Sequence, residues 1–343
     1  VRQIYQHHGP GQRRWVAATL SLTALLYLGA VTGMAYVAGF HAVDRRLIAA
    51  HWWWLAPCFA SVLLAFVGYL WAYRGIKRVG GGPRLGRLTR LAVVSAGFGS
   101  LLMRGGAAVD NLVMRASGVD AREANVRVTA LNGFEHGVLA MIVSPAAIVA
   151  LALGVVSPRR DFSWPWAVIP AIGFVAAIWA AERYRDRLRD GAGWRGRLAI
   201  FLDAIHLVYE LLRNPRRHGL VVAAMVLYWG ADAFALWAAV AAFGVQLSAV
   251  AVIVCLGTGM IVTRRTAPLA GAGLMSVAMV PTLWYGAGVP FATATLGVAT
   301  YHLFTLLVPL PASLLSLPVL RELDERAQRL SPSSMSSTAV GLS

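Results

Sequence analysis

The sequence predicts an all-α fold: a polytopic integral membrane helical bundle with two broken or re-entrant helical hairpins. Two observations predict it. Of 343 residues, 58% are hydrophobic and 13% charged, with a mean hydropathy of +0.63. Soluble domains carry about 25% charged residues, and here the apolar character runs along most of the chain. The second observation is a pair of Gly-rich, Arg-containing breaks, one in each half, inside long apolar stretches. One reads Leu102-Met103-Arg104-Gly105-Gly106-Ala107, the other Thr263-Arg264-Arg265-Thr266-Ala267-Pro268-Leu269-Ala270-Gly271-Ala272-Gly273. Irregular backbone at membrane depth is tolerated only where protein covers it or where it lines a wet cavity. Paired breaks in corresponding positions point to a binding site.

A span needs about 20 apolar residues, and the stretches 15–40, 51–73, 128–156, 163–184, 218–243 and 290–320 meet that length. The first is not a removable signal peptide, because no short apolar core with a small-residue cleavage site is present. The stretch 91–116 is interrupted at Arg104-Gly105-Gly106, and 247–287 at Arg264-Arg265 and the glycines after Pro268. Each reads as two short helices meeting at a break. Between spans four and five, Trp194, Leu198, Phe201, Ile205, Val208 and Leu212 recur at helical spacing. They predict an amphipathic helix at about 190–213, lying in the cytoplasmic interface.

Arginines orient the bundle. Lys77 is the one lysine among 31 basic residues, and the formal net charge is +16. Basic groups precede the first span, follow the second, run from Arg183 to Arg217, and follow the last span. The positive-inside rule places all four in the cytoplasm, so 41–50 and 157–162 become external loops. The first hairpin then enters from the cytoplasmic side and the second from outside, related by inversion. Gly118-Val119, Ala124 and Phe134 recur at constant offset as Gly288-Val289, Ala294 and Phe304. The expected organisation is a cytoplasmic segment 1–14, a transmembrane domain 15–320 with halves 15–156 and 163–320, and a cytoplasmic tail 321–343, disordered at its end. The charge suits an anionic membrane surface, where a basic residue near the headgroups is worth about 1 kcal/mol. Nucleic acid is excluded as a partner, because the basic residues sit in short loops between apolar segments.

Ionisable groups at membrane depth are costly, and function is their default explanation. The candidates are Arg104, Asp110, Glu135, His136, Asp232, Arg264, Arg265 and His302. Guanidinium forks bind phosphate bidentately, and the glycine amides of Gly105, Gly106, Gly271 and Gly273 add donors. Arg104, Arg264 and Arg265 are therefore read as contacts to a headgroup or its cavity. Asp110, Glu135 and Asp232 either pair with those arginines, bind a cationic headgroup or couple protons. His136 and His302 are read as packed and hydrogen-bonded. No metal-ligand constellation, P-loop, nucleophile elbow or haem motif is present, so no cofactor, metal or catalytic residue is expected. Cys58 and Cys255 read as small buried hydrophobes. Trp52-Trp53-Trp54, Trp164, Trp166 and Trp284-Tyr285 read as an external interfacial belt.

The breaks and their flanks resemble the transmembrane flippase domain of the lysylphosphatidylglycerol synthase/flippase family. The residues carrying the resemblance are Pro268-Leu269-Ala270-Gly271-Ala272-Gly273-Leu274-Met275-Ser276, Gly286-Ala287-Gly288-Val289 and Tyr301-His302-Leu303-Phe304, with Trp229, Asp232 and Phe243-Gly244 upstream. In the first half they are Arg104-Gly105-Gly106 through Gly118-Val119 and Glu123-Ala124. Against the family's pattern, Ala270 replaces a glycine, Ser276 a glutamate and His302 an arginine, and the first motif lacks its proline. The resemblance implies a bacterial cytoplasmic-membrane protein that moves a phospholipid or lipid-linked headgroup between leaflets, and not an enzyme, because the soluble aminoacyl-transferase domain is not expected here. The expected partners are membrane lipids, anionic phospholipid first, with a separate lipid-modifying enzyme and a homo-oligomer left open. The alternative is a non-transporting scaffold or regulatory subunit of an envelope-lipid synthesis enzyme.

Overall fold

The structure is a computed structural model that describes residues 10–76, 81–98, 106–154, 157–188, 191, 193–260 and 274–330. The described secondary structure is helical. Helix α1 (Pro10–Ala38) is followed after Gly39 by α2 (Phe40–Ile48), bent by 100° from it. Gly39 makes this corner with φ 81°, a left-handed value glycine adopts without steric cost. The segment 41–50, expected as a loop, is therefore mostly a short helix. Its charges Asp44, Arg45 and Arg46 hid a helix whose face buries Val43.

The first half continues with α3 (Leu55–Ile76), the helix pair α4 (Arg87–Phe98) and α5 (Gly106–Ala116), and the long α6 (Ala121–Ala152). After α7 (Arg160–Leu188) and α8 (Trp194–Arg213), the second half repeats the order. It runs α9 (Pro215–Ala241), the pair α10 (Ala249–Gly259) and α11 (Leu274–Pro281) with a π-turn at Thr282–Gly286, then α12 (Phe291–Leu307). Short α13 (Leu310–Leu315) and amphipathic α14 (Leu317–Arg329) follow; α12 and α13 together form the expected last span, as Phe291–Leu315. Among the described residues five segments are long and apolar enough to cross a membrane, and six with the bent α1–α2 pair.

The halves are inverted. Helices α3 and α9 form the most extensive packing in the structure, and they run antiparallel. His51 N–H donates to the Ala242 carbonyl at one end. Further along, Cys58 Sγ approaches the Ala235 carbonyl at 3.3 Å, and Gly68 lies against Ala224 and Tyr228. The offset between halves also holds structurally. Gly118 and Gly288 both take left-handed φ, 81° and 71°, each just before the closing span. Val119 N–H returns to the Met114 carbonyl and Val289 N–H to the Leu283 carbonyl, each capping the preceding helix. Ala124 and Ala294 are both fully buried.

The two ends of the bundle differ in character. Arg159 N–H donates to the Gly286 carbonyl, Trp54 packs edge-on against Trp237, and Phe162 meets Tyr285. The expected aromatic belt thus gathers at one end. At the other, Asp203 of α8 pairs with Arg122 at 3.2 Å and lies 3.9 Å from Arg185, joining α6, α7 and α8. Buried Arg127 pairs with Glu123 at 2.6 Å. Helix α8 packs a face of Ala199, Leu202, Ala204, Val208 and Leu211 toward α6 and α7, while Trp194, Leu198 and Phe201 stay exposed. Cys58 and Cys255 are buried and free.

Candidate functional site

Three carboxylates lie at the middle of the bundle with almost no exposure: Asp110, Glu135 and Asp232. Burying a carboxylate is costly unless hydrogen bonds compensate. Each accepts from a tyrosine on a different helix. Tyr73 Oη of α3 donates to Asp110 Oδ1 of α5 at 2.6 Å, and Tyr69 Oη, one turn earlier, to Glu135 Oε2 of α6 at 3.2 Å. The i, i+4 spacing puts both hydroxyls on one face of α3. In the other half, Tyr301 Oη of α12 donates to Asp232 Oδ2 of α9 at 2.7 Å. Trp229, one turn before Asp232, donates its indole N–H to the Glu135 carbonyl at 2.9 Å, tying α9 to α6.

Glu135 and Asp232 line a partly open cavity of about 40 Å³. Its other walls are apolar and largely aromatic, among them Phe66, Phe98, Tyr228, Trp229 and Tyr301. Gly97 and Phe98, the last residues of α4 before the first break, form one edge. Met260, directly after α10 and before the second break, forms another. The ends of α4 and α10 that precede the two breaks thus meet at one chamber, mostly apolar and aromatic, with two carboxylates in its wall. Such a chamber can hold a cation by charge and by ring faces together, the latter worth about 2 kcal/mol when desolvated.

The other expected site residues divide. Gly106 is buried at the start of α5. His136 is half-buried, and its Nδ1 meets the Asn132 carbonyl at 2.8 Å within its own helix. His302 is buried, with Nδ1 at 2.5 Å from Ser276 Oγ. Two of the positions where the motif resemblance fails thus face each other across α11 and α12: the replacements for a glutamate and an arginine share one hydrogen bond. Arg104, Gly105, Arg264, Arg265, Gly271 and Gly273 lie outside the described residues. Sequence reasoning did not single out Tyr69, Tyr73, Phe98 or Tyr228. The tyrosine pair one turn apart in an otherwise apolar span was the available signal.

Antiparallel halves, paired hairpins and a chamber between them define a polytopic helical membrane protein with an internal cavity. The family model for the lysylphosphatidylglycerol synthase TM region matches residues 15–313, and the chain belongs to that family. None of the curated proteins compared with it matches the sequence.

Proposed function

We propose that this protein moves a lipid between the leaflets of a bacterial cytoplasmic membrane, with the headgroup passing through the chamber between the two hairpins while the acyl chains stay in hydrocarbon. The observation that carries this reading is the chamber itself: Glu135 and Asp232 among aromatic rings, at a depth where a charged group otherwise costs about 2.5–3.5 kcal/mol. A scaffold has no need of buried carboxylates facing a cavity. The family's description names lysylphosphatidylglycerol, a lipid with both phosphate and ammonium groups. The carboxylates and rings suit the cationic part of such a headgroup. The arginines of the two breaks, Arg104 six residues after Phe98 and Arg264 four after Met260, suit the phosphate. The test is leaflet-resolved transport of labelled lipids in liposomes holding the purified protein. Accumulation in the opposite leaflet above protein-free liposomes is expected; rates equal to them would leave the scaffold reading.

A further inference from the structure

A second depression lies beside the chamber, of about 370 Å³, between α6, α9 and α10. Its lining is uncharged and apolar, including Leu139, Ile142, Phe234, Leu247, Ile253 and Leu256. Trp229 lines both spaces and is the wall between them. Its N–H is committed to the Glu135 carbonyl, so the ring offers only apolar surface to either side. The depression exists because α9 carries Gly230 and Ala233 there. A Cβ at Gly230 would meet nothing within 4 Å, and both Gly230 and Phe234 are exposed, so the groove opens sideways to the lipid phase.

An apolar recess at this depth has no polar partners with which to hold water. From its apolar walls, its opening beside exposed Gly230 and Phe234, and the Trp229 wall it shares with the chamber, we propose that the groove seats one acyl chain of a membrane lipid while the cationic end of that lipid's headgroup engages the chamber. This rests on the lipid-transport reading for the headgroup and adds the chain-binding site. Trp229 then separates head from tail, and Gly230 sets how much chain fits.

The test uses the full chain in vesicles of phosphatidylethanolamine and phosphatidylglycerol doped with a phospholipid bearing a diazirine midway along one acyl chain. After irradiation, adducts are mapped by peptide mass spectrometry. Labelling is expected within 139–142 and 247–256, above that on Ile169–Val175 of α7, whose Ile169, Ile172 and Val175 are exposed and mark ordinary lipid contact. Gly230→Leu fills open space in a helix interior, where leucine is also the better helix former, so the variant folds. It lowers groove adducts about tenfold, the loss of roughly two buried methylenes, and leaves the α7 adducts unchanged. Groove labelling no stronger than on α7, labelling insensitive to Gly230→Leu, or a cross-link to a second copy through these peptides would each overturn the proposal. Groove adducts in a protein that moves no lipid would retain the chain site and remove only the transport reading.

Discussion

Asp232→Asn is the sharpest perturbation of the chamber. The change keeps the side chain's shape, and the new amide oxygen still accepts from Tyr301, now 2.7 Å away. What disappears is the negative charge on a group that is 4% exposed and lines the cavity. A hydrogen bond to a charged partner is worth about 1.5–3 kcal/mol. If Asp232 takes the cationic part of the headgroup, transport of an ammonium-bearing lipid falls about 10- to 150-fold, at 1.4 kcal/mol per factor of ten. Removing the buried charge costs little stability, since hydrogen bonds inside membrane bundles average only about 0.6 kcal/mol. The assay compares two fluorescent lipids, one with an ammonium headgroup and one purely anionic, by leaflet-specific quenching in liposomes, alongside thermal unfolding of the same preparations. Arg217→Ala, at an exposed position, is the control and changes neither readout. The reasoning is refuted if the Asp232→Asn protein moves the ammonium lipid at the wild-type rate. It is equally refuted if both lipids slow in proportion to a lowered unfolding temperature.

Three more outcomes follow from the structure. With Cys58 and Cys255 replaced by alanine, a cysteine in place of Ile48 reacts with an impermeant thiol reagent in intact cells, and one in place of Arg195 reacts only after permeabilisation; the reverse pattern inverts the topology. Gly68→Ala destabilises by about 1–3 kcal/mol, because its Cβ would lie 3.0 Å from the Ala224 carbonyl oxygen and the Tyr228 nitrogen; an unchanged unfolding temperature counts against the packing. Burial in α14 pushes the Asp324 carboxyl up, held back by the Gln328 amide at 2.8 Å. A raised native value means stability is greatest below the ordinary carboxylate pKa of about 3.9 and declines as pH rises through the native one. Asp324→Asn flattens that decline in unfolding scans from about pH 4 to about pH 8, and an unaltered slope would assign it to another group.

The spans were legible because length and apolar content alone define them; the Arg-Gly interruptions, which cannot sit in hydrocarbon unaided, pointed to a site whose arginines lie outside the described residues. The carboxylates Asp110, Glu135 and Asp232 stood out as ionisable groups in apolar runs. Their described partners did not, since a tyrosine in a span looks like any other large apolar residue until a carboxylate on another helix meets its hydroxyl. Helix α8 shows another limit. Of its visible periodicity, Trp194, Leu198 and Phe201 face outward while Val208 is buried. The face that packs against protein runs through Ala199, Leu202, Ala204, Val208 and Leu211, offset from the pattern that the aromatic residues make visible. The turn into α2 was hidden for the opposite reason, as charges on a short amphipathic helix read as a loop. Gly118 and Gly288 were legible only as letters at equal spacing; their shared left-handed backbone gives the match its physical content.

The seam between α3 and α9 constrains how such a protein can open. Gly68 brings one backbone against another, and the next turns on the same helix carry Ala72 and Gly75, the latter seated on Val221. Sliding the helices by one position would drive a side chain into the Ala224–Tyr228 backbone. The seam therefore works as a keyed spine that resists shear. The Tyr301–Asp232 bond at 2.7 Å ties α12 to that spine.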